Sequence, residues 1–414
     1  MYELIIRLYA LGVAVASLFN SKARKMLRGG RDTLKTLARR IDHGSRYAWF
    51  HAASLGEFEQ GRPIIERLRA EHPEYKILLT FFSPSGYEVR KDYKGADIVC
   101  YLPLDTRRNA RRFIEAAHPA VAFFVKYEFW WNYLSLLKAA DVPAYSVSSI
   151  FRRDQVFFKW YARPYSRVLR CFTRFFVQNE ESRQLLADIG ITDVDVTGDT
   201  RFDRVLQIKQ AAKSLPLVEA FAGDAKVFVA GSSWPPDEDI FIRYFNEHPG
   251  WKLIIAPHVI SEEHLLRIEE CLGCPSVRYT KATADSVAAA DCLIIDCFGL
   301  LSSIYGHATV AYVGGGFGVG IHNLLEAAVW GVPVIFGPNN ARFQEAQELK
   351  ACGGGLEISS YEDFMVLLNK FNASSQAVTA AGHEAANYVK GKAGATDVIL
   401  NAVAPLFGNS LKWH

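Results

Sequence analysis

The feature that most constrains the fold is a repeated alternation of short, unbroken apolar runs with amphipathic stretches of helical spacing. From about Ser45 onward the runs are "YAWFHAAS", "YKILLTFFS", "ADIVCYLPL", "AVAFFVKYE" and "PAYSVSS". Strands without polar alternation are buried on both faces, and the helices between them supply the cover. The pattern therefore predicts an α/β fold, in which a parallel sheet has helices on both sides.

The same alternation starts again in the second half of the chain, at "AKVFVAGSS", "WKLIIAPH", "DCLIIDC", "ATVAYVGGG" and "VPVIFG". The polar stretch "TGDTRFDRVLQIKQAAKSLPLVEAFAGD" between the halves is interpreted as a linker. We predict two doubly wound, Rossmann-like domains that face each other across a cleft and bind ligands at the carboxyl ends of their strands. The expected boundaries are residues 1–22 for a membrane-associating helix, 23–209 and 210–395 for the two domains, and 396–414 for a tail.

The N-terminus combines an apolar stretch with a basic one. Residues 8–19 carry no charge but are fewer than the roughly 20 residues of a spanning helix, so a signal-anchor, an interfacial helix and a core helix all stay open. Residues 1–40 carry a charge of +7, whereas the rest of the chain sums to −4. Basic residues after an apolar run attract anionic lipid and keep the following domain on the cytoplasmic side. We therefore predict membrane association.

Overall charge and cysteine usage exclude other classes. The net charge of +3 argues against a general nucleic-acid binder. The seven cysteines form no disulfide framework, and "CLGC" is a lone CxxC without a second half or a nearby histidine pair. Reduced thiols in a cytoplasmic compartment are favoured over a zinc or redox site. We expect neither a metal nor a cofactor.

Glu57 follows the first apolar run, in "HAASLGEFEQG", and opens a helix after Gly56. The helix dipole stabilises an acid in the first turn by roughly 0.3–1 kcal/mol. Capping alone would therefore explain a glutamate at this position, without any catalytic role. The same dipole would keep the carboxylate ionised and able to accept a proton. Spacing alone favours the cap and leaves a catalytic base open.

Two further charged residues stand at the ends of predicted elements. Glu128 follows a strongly apolar strand in "VKYEFWWN", and burying an acid there requires a polar site or a basic partner. Arg201 in "GDTRFD" lies near the predicted hinge, where a cation could meet a phosphate. A salt bridge to Asp199 or Asp203 is the alternative.

The segment "GGGFGVGIHNLLEAAVWGVPVIFGP" runs from a strand through glycines into a helix predicted to begin near His322 or Asn323. Glycines let backbone approach a ligand, and the free N–H groups of a helix start bind phosphate. Glu326 either completes a capping box with Asn323 or accepts ribose hydroxyls. Together these features favour a nucleotide site.

Residues 151–176 interleave basic and aromatic side chains, a mixture that suits single-stranded nucleic acid, a membrane interface or an anionic amphiphile. Because the N-terminus is predicted to associate with a membrane, a membrane interface or an anionic amphiphile is favoured over nucleic acid as the ligand of this segment. The predicted acceptor or membrane patch consists of Arg152, Arg153, Lys159, Trp160 and Arg163.

These motifs together resemble the Kdo transferases, which attach 3-deoxy-D-manno-oct-2-ulosonic acid (Kdo) to the lipid A precursor. The similarity extends to about residue 395 and is densest at "HAASLGEFEQGRPII", "FFVKYEFWWN", "GDTRFD", "APH", "DCFGLLSSIYGHATVAYVGGGF" and "HNLLEAAVWGVPVIFGP". The resemblance implies a GT-B glycosyltransferase fold, an N-terminal acceptor domain, a C-terminal domain for the donor CMP-Kdo, and no metal.

The resemblance also implies roles for individual residues. Glu57 would be the general base that deprotonates the acceptor hydroxyl, and Glu128 and Arg201 would assist the transition state. Two departures from the family pattern stand out: His258 replaces a common arginine, and Arg201 stands where lysine is common, which changes the geometry of the cation. The implied CMP-binding residues are Pro257, His258, Phe298, Gly299, Leu300, Asn323, Leu324, Leu325 and Glu326.

The resulting hypothesis is an inverting Kdo transferase of lipopolysaccharide biosynthesis, acting on the lipid A precursor at the cytoplasmic face of the inner membrane. Its expected partners are CMP-Kdo, the lipid acceptor and the membrane surface, with no nucleic acid. Two rivals stay open. Another two-domain nucleotide-sugar enzyme, a different glycosyltransferase or an epimerase, would share the fold and Glu326. A non-catalytic membrane adaptor would not bring Glu57, Glu128 and Arg201 to one place.

Overall fold

In the computed structural model, which describes residues 2–318 and 320–408, the chain forms two units with one parallel sheet each. Unit 1 contains the chain up to Arg204 and from Ala393 onward, and unit 2 is Val205–Lys392. The predicted α/β fold with two Rossmann-like sheets is confirmed. The division falls at Arg204 rather than at residue 209, and the chain returns to unit 1 near its end.

Among the described residues, the sheet of unit 1 has seven strands in the order β3-β2-β1-β4-β5-β6-β7, and all neighbouring pairs are parallel. Both faces are buried, since Trp49 packs into the core on one face and Phe50 into the core on the other. The sequence pattern missed the last two strands, which are short. The strands are β1 (Arg46–Ala52), β2 (Tyr75–Phe81), β3 (Ile98–Tyr101), β4 (Pro119–Val125), β5 (Ala144–Ser149), β6 (Arg174–Val177) and β7 (Val194–Val196).

The helices of unit 1 follow the strands and cover the sheet. Most begin at a Ser, Thr or Asn whose side chain accepts a backbone N–H of the first turn, the usual N-cap chemistry. They are α1 (Tyr2–Phe19), α2 (Ser21–Arg40), α3 (Leu55–Glu71), α4 (Pro84–Arg90), α5 (Arg107–Ala117), α6 (Trp131–Ala139), α7 (Arg163–Ser166), α8 (Glu180–Asp188) and α9 (Arg201–Gln210), with 3₁₀ turns at Val156–Phe158, Trp160–Ala162 and Arg167–Cys171.

Helix α1 differs from the others because most of its apolar side chains are exposed. Among the described residues, it is the one helix whose length and composition would allow it to cross a membrane. At 1.5 Å per residue it is about 27 Å long. Helix α2 begins directly after it, and the Arg24 guanidinium donates to the carbonyls of Ser17 and Leu18, which caps the end of α1.

The sheet of unit 2 also has seven strands within the described residues, all parallel, in the order β10-β11-β9-β8-β12-β13-β14. The sequence pattern missed its two edge strands, β10 and β14, which have three residues each. The strands are β8 (Val227–Ser233), β9 (Lys252–Pro257), β10 (Ser276–Arg278), β11 (Cys292–Ile294), β12 (Val310–Val313), β13 (Val334–Phe336) and β14 (Gly355–Glu357).

The helices of unit 2 begin within the stretch that the sequence interpretation assigned to a linker. Helix α9, which begins in unit 1 and ends in unit 2, and helix α10 occupy most of residues 201–222. The helix predicted to begin near His322 or Asn323 begins at Leu325 and has four residues. The helices are α10 (Pro216–Ala222), α11 (Pro235–Glu247), α12 (Glu262–Cys271), α13 (Ala284–Ala289), α14 (Leu301–Ile304), α15 (Leu325–Ala328), α16 (Gln344–Cys352), α17 (Tyr361–Ala373) and α18 (Ser375–Lys392), with 3₁₀ turns at Tyr279–Lys281 and Tyr305–His307.

The predicted C-terminal tail is a helix of unit 1 as far as it is described. Helix α19 (Ala395–Gly408) buries Ile399, Leu400 and Val403 in the core that it shares with α3. Asp203 at the start of α9 accepts the backbone N–H groups of Gly394 and Thr396, at 2.6 and 2.7 Å. These bonds connect the segment where the chain leaves unit 1, near Arg204, with the segment where it returns, near Ala393.

Candidate active site

The central strands β1 and β4 of unit 1 are neighbours, although three helices and two strands separate them along the chain. The strand order reverses at this pair, and ligands of doubly wound sheets bind at the carboxyl ends of the strands on either side of such a reversal. Glu57 follows β1 and Glu128 follows β4. The topology therefore brings these two carboxylates, 71 positions apart in the sequence, to the same edge.

Glu57 is a helix cap. Its Oε2 accepts the backbone N–H groups of Ala53 and Ser54 at 2.6 and 3.1 Å, and the Ser54 hydroxyl accepts the Glu57 N–H at 3.5 Å. These bonds form a reciprocal capping box at the start of α3, which satisfies N–H groups that a helix start leaves free. Of the two roles left open by the sequence, capping is confirmed and catalysis stays a prediction.

The electrostatics of Glu57 go beyond capping. Burial raises the pKa of its carboxyl, the nearby charge of Glu128 also raises it, and the Ala53 N–H, His51 and Lys126 lower it, with a net pKa of about 6. A carboxyl with a pKa near working pH is ionised often enough to accept a proton and basic enough to take one. The site thus contains a group suited to general-base chemistry.

Glu128 has a buried histidine as its partner. The His51 Nε2 lies 2.9 Å and the Trp130 Nε1 2.7 Å from its Oε2. The His51 side chain is 0% exposed, and its Nδ1 lies 2.9 Å from the Thr80 hydroxyl. Contacts on both ring nitrogens hold the imidazole plane, so His51 in turn fixes one carboxylate oxygen of Glu128.

The sequence interpretation did not single out His51. The available signal was a histidine at the end of an otherwise apolar strand, because a buried polar ring needs a hydrogen-bonding partner. That signal could not name the partner, which lies on another strand. The expectation that Glu128 pairs with a base is borne out, and the base is this residue.

Arg201 makes the local salt bridge that was its alternative role. Its Nε lies 2.8 Å from Oδ2 of Asp199, and its N–H donates to Oδ1 of the same residue at 2.9 Å. Gln60 on α3 also donates to Asp199, which ties this loop to the helix that Glu57 opens. The guanidinium remains 27% exposed, so it can still meet an anion.

Tyr127 shows which charged groups lie near one another. Its pKa is raised chiefly by burial, while the cations of Arg152 and Arg201 lower it and the Glu57 carboxylate raises it. Glu57, Arg152 and Arg201 therefore lie near Tyr127, and Glu128, the next residue in the chain, acts on Glu57. The adaptor hypothesis expected no such convergence.

Lys126 was also missed and lies between β4 and Glu128 with φ of +65°. A non-glycine residue in this region stores roughly 1–3 kcal/mol of strain, which surrounding structure must offset. Its backbone N–H donates to Val147, and its carbonyl accepts the Ser149 hydroxyl. The conformation places a cation close enough to Glu57 to lower its pKa.

The predicted basic–aromatic patch divides into two parts. Arg152 acts on Tyr127 and belongs to the site. Arg153, Lys159 and Trp160 instead line a separate cavity of about 830 Å³ with two further arginines, Arg167 and Arg170; the Trp160 ring is 82% exposed. The side chain of Arg163 lies outside the described residues.

Unit 2 has its own reversal of strand order, between β8 and β12, and three rings stack there. The His258 ring lies 4.8 Å from Trp234 and 4.3 Å from His322, centroid to centroid. The Trp234 indole donates to Nε2 of His322 at 3.1 Å. Burial lowers the pKa of both histidines, that of His322 to about 4. The stack is therefore an uncharged aromatic surface near neutral pH.

The glycines before this stack serve backbone packing. A Cβ on Gly314 would lie 2.4 Å from the Ser232 carbonyl, and one on Gly316 would lie 2.6 Å from the Gly337 Cα. Buried Asp237 accepts the Gly315 N–H at 2.9 Å. At these two positions neighbouring backbone already requires glycine, and the prediction that the glycines admit a ligand stays a prediction.

Glu326 forms side-chain bonds rather than a capping box. Its Oε1 accepts the Asn323 amide at 3.0 Å and its Oε2 the Ser302 hydroxyl at 3.1 Å. The side chains of Leu324 and Leu325 are fully buried, so these two predicted donor-binding residues can reach a ligand only through backbone atoms.

The remaining predicted donor-binding residues follow neighbouring strands of the same sheet. Pro257 ends β9 and is buried, whereas His258 directly after it is exposed. Phe298 follows β11 with its ring 80% exposed, and Gly299 has φ of +87°. Leu300 precedes α14 as its N-cap residue.

Comparison with known proteins shows similarity to one enzyme family. The model of the 3-deoxy-D-manno-octulosonic-acid transferase (kdotransferase) family matches residues 28–204. The 3-deoxy-D-manno-octulosonic acid transferase of Aquifex aeolicus is 28% identical over 78% of this chain and 85% of its own length. That of Chlamydophila psittaci is 26% identical over 74% of this chain and 73% of its own.

Two solved structures have the same fold at low identity. A putative UDP-N-acetylglucosamine 2-epimerase from Listeria monocytogenes superposes with a TM-score of 0.61 at 14% identity, covering 88% of this chain and 97% of its own. The calicheamicin glycosyltransferase CalG4 gives 0.57 at 12% identity, covering 89% and 100%. These likenesses establish the GT-B fold.

Fold and relatives together define a glycosyltransferase of the GT-B class. Within that class, residues 28–204 match the model of the Kdo transferase family, and the sequence similarity to Kdo transferases extends over about three quarters of the chain. The family resemblance predicted from the motifs is confirmed, and so is the enzyme assignment. The adaptor hypothesis is wrong.

Proposed function

We propose that this enzyme transfers Kdo from CMP-Kdo to the lipid A precursor with inversion at the anomeric carbon. The observation that carries the proposal is the state of Glu57, a half-buried carboxylate with a pKa of about 6 beside Glu128 at the reversal of the first sheet. The motif similarity to Kdo transferases supports the choice of donor and acceptor.

In the proposed reaction, Glu57 accepts the proton of the acceptor hydroxyl while that oxygen attacks the anomeric carbon. Its Oε2 is engaged by two backbone N–H groups, which leaves Oε1 to face the hydroxyl. CMP departs from the opposite face of the sugar. General-base assistance of this kind contributes typically about 10²–10⁴-fold to the rate.

Glu128 and Arg201 assist in different ways. Glu128, held by His51 and Trp130, supplies a fixed negative charge that stabilises positive charge on the anomeric carbon. Arg201, oriented by Asp199, supplies a cation for the departing phosphate. We propose that no metal takes part, since a monophosphate leaving group carries less charge than a diphosphate.

For the donor we propose the carboxyl-end surface of unit 2. Glu326 would accept ribose hydroxyls, as acids do in dinucleotide folds, and Asn323 orients it at 3.0 Å. The residues Pro257, His258, Phe298, Gly299 and Leu300 would complete the CMP site. His258, uncharged because of its lowered pKa, would offer a stacking face in place of the arginine charge of relatives.

For location we propose the cytoplasmic face of the inner membrane. The exposed apolar side chains of α1, including Leu8, Leu11, Leu18 and Phe19, would enter the lipid. The basic residues of α2 and of the patch at residues 152–160 would meet anionic headgroups.

The test is to incubate purified enzyme with CMP-Kdo and a tetraacylated lipid A precursor and to measure the product mass. A gain of one or more Kdo units is expected. CMP binding without transfer would contradict the proposed acceptor, and failure to bind CMP would contradict the proposed donor. Turnover of a UDP-sugar instead would favour a different nucleotide-sugar enzyme of the same fold.

A further inference from the structure

A groove of about 840 Å³ opens beside the candidate catalytic residue Glu128, a volume in the range of ligand pockets. We refer to it as the α1 groove, because Tyr2, Ile5 and Ile6 of the first turns of α1 form one wall. The opposite wall comes from residues 155–167, including Val156, and the end from residues 127–131. Its surface is mainly aliphatic and aromatic.

The first turn of α1 is attached to unit 1 through polar bonds. The Tyr2 hydroxyl donates to Oδ2 of Asp105 at 2.6 Å and accepts the Trp131 N–H at 3.3 Å. Glu3 accepts the Arg107 N–H and the Asn132 amide at 3.1 and 3.3 Å. A helix that served only as an anchor would need no such attachment at residues 127–132, where the candidate catalytic Glu128 lies.

The chemistry of the groove selects its occupant. The α1 groove is apolar and ends at the carboxylate of Glu128. It therefore suits an amphiphile with a hydrocarbon part at one end and a sugar at the other. The groove is continuous with α1, the most apolar exposed helix of the described residues. Arg167 lines it as well and complements an anionic headgroup.

We infer that the first turn of α1 is part of the acceptor site and that the α1 groove holds an acyl chain of the lipid acceptor next to Glu128; this inference rests on the proposed function. Helix α1 then has two roles, since its first turn lines the groove while its later turns remain exposed.

The inference is tested with variants that narrow the α1 groove by placing a tryptophan on one wall or the other. Ile5→Trp on α1 and Val156→Trp on the opposite wall each add bulk at partly exposed positions, 55% and 42% exposed, so both variants should fold. The matched control is Leu4→Trp, an adjacent exposed residue of α1 outside the groove. KM is measured in detergent micelles for the tetraacylated precursor and for its fully deacylated, water-soluble counterpart.

Ile5→Trp and Val156→Trp should each raise KM for the acylated acceptor about tenfold, the scale of misfit in an apolar pocket, with little change for the deacylated one. Leu4→Trp should change neither. Equal effects on both acceptors, or equal effects of all three variants, would overturn the inference while leaving Kdo transfer intact. A wild-type enzyme that transfers no Kdo to either acceptor would instead refute the proposed function, and the inference with it.

Discussion

At the scale of single residues, the site depends on carboxylates that have structural and chemical tasks at once. Glu57 caps α3 through Oε2 and carries a pKa of about 6 because it is buried. Glu128 is fixed by a histidine that is completely buried. Substitutions that separate the two tasks are therefore the informative ones.

Glu57→Gln should separate capping from catalysis. A glutamine oxygen can accept the Ala53 and Ser54 N–H groups but cannot take up the hydroxyl proton, so kcat should fall about 10²–10⁴-fold with thermal stability nearly kept. Glu57→Ala should lose similar activity and also about 0.5–2 kcal/mol of unfolding free energy with the cap. Near-normal turnover of the glutamine variant would exclude Glu57 as the base.

The pH dependence follows from the raised pKa. In the proposed mechanism the ionised form of Glu57 is the active one, so kcat/KM should fall as pH decreases through about 6. Removing the Glu128 charge removes one cause of the increase, so the acid limb of Glu128→Gln should move to lower pH. An unchanged limb in that variant would mean that another group controls it.

The same pKa predicts a stability difference with a definite sign. Folding raises the pKa of Glu57 above its ordinary 4.5, so the group's stabilising contribution is present below pH 4.5 and is lost as pH rises through about 6. The unfolding free energy of wild type relative to Glu57→Gln should decrease across this window. A constant difference would argue against the raised pKa.

His51→Phe tests the support of Glu128. An aromatic ring is kept, but the hydrogen bond to a largely buried carboxylate is lost, which should lower the unfolding free energy by about 1.5–3 kcal/mol. In a Glu128→Gln background the same change should have a smaller effect, since the pair is already broken. Urea denaturation of the four proteins measures the coupling, and additive effects would show that the residues act independently.

At the scale of elements, the crossing of the chain back to unit 1 has the largest structural consequence. Helix α19 completes the core beside α3, so residues near position 400 stabilise unit 1, most of which comes from the first half of the sequence. Asp203 binds the first turn of this helix at Gly394 and Thr396.

Ile399→Ala should lower the unfolding free energy of the enzyme by about 2–5 kcal/mol, because its side chain is fully buried and truncation leaves a cavity. The neighbouring Val398→Ala is the control: its side chain is 47% exposed, and the change should stay within about 0.5 kcal/mol. Thermal unfolding of both variants measures the two losses of unfolding free energy. Similar losses in Ile399→Ala and Val398→Ala would contradict the packing of α19.

At the scale of the whole molecule, charge and apolar surface are concentrated at the N-terminal end. Residues 1–40 carry +7 against −4 for the remainder, and α1 exposes its apolar side chains beside them. For the proposed membrane association, we therefore expect the lipid contact to lie in unit 1.

Leu11→Glu on the exposed side of α1 should weaken binding to anionic vesicles by roughly 10–100-fold, since burying one leucine contributes about 1.5–3 kcal/mol. Val366→Glu on α17 of unit 2, equally exposed, serves as the control and should leave vesicle binding unchanged. Co-sedimentation of wild type and the two variants measures the effect. An equal loss of vesicle affinity in both variants would show that α1 is not the membrane-binding element.

The sequence by itself determined the two parallel α/β sheets and the positions of Glu57, Glu128 and Arg201, because buried strands and the turns after them depend on local hydrophobicity. It missed the short strands β6, β7, β10 and β14, of which β7, β10 and β14 lie at sheet edges and are only partly buried, so that they lack a continuous apolar run. It also placed the start of α15 too early.

Only the tertiary structure decided the partners. His51 meets Glu128 because β1 and β4 pair in space, Trp234 meets His322 because β8 pairs with β12, and Tyr2 meets Asp105 across more than a hundred residues. The segment that was predicted to be a tail is helix α19, because it packs against α3 in the core of unit 1. Periodicity records which side chains are buried, whereas the identity of a partner depends on strand order and chain crossings, which no local pattern contains.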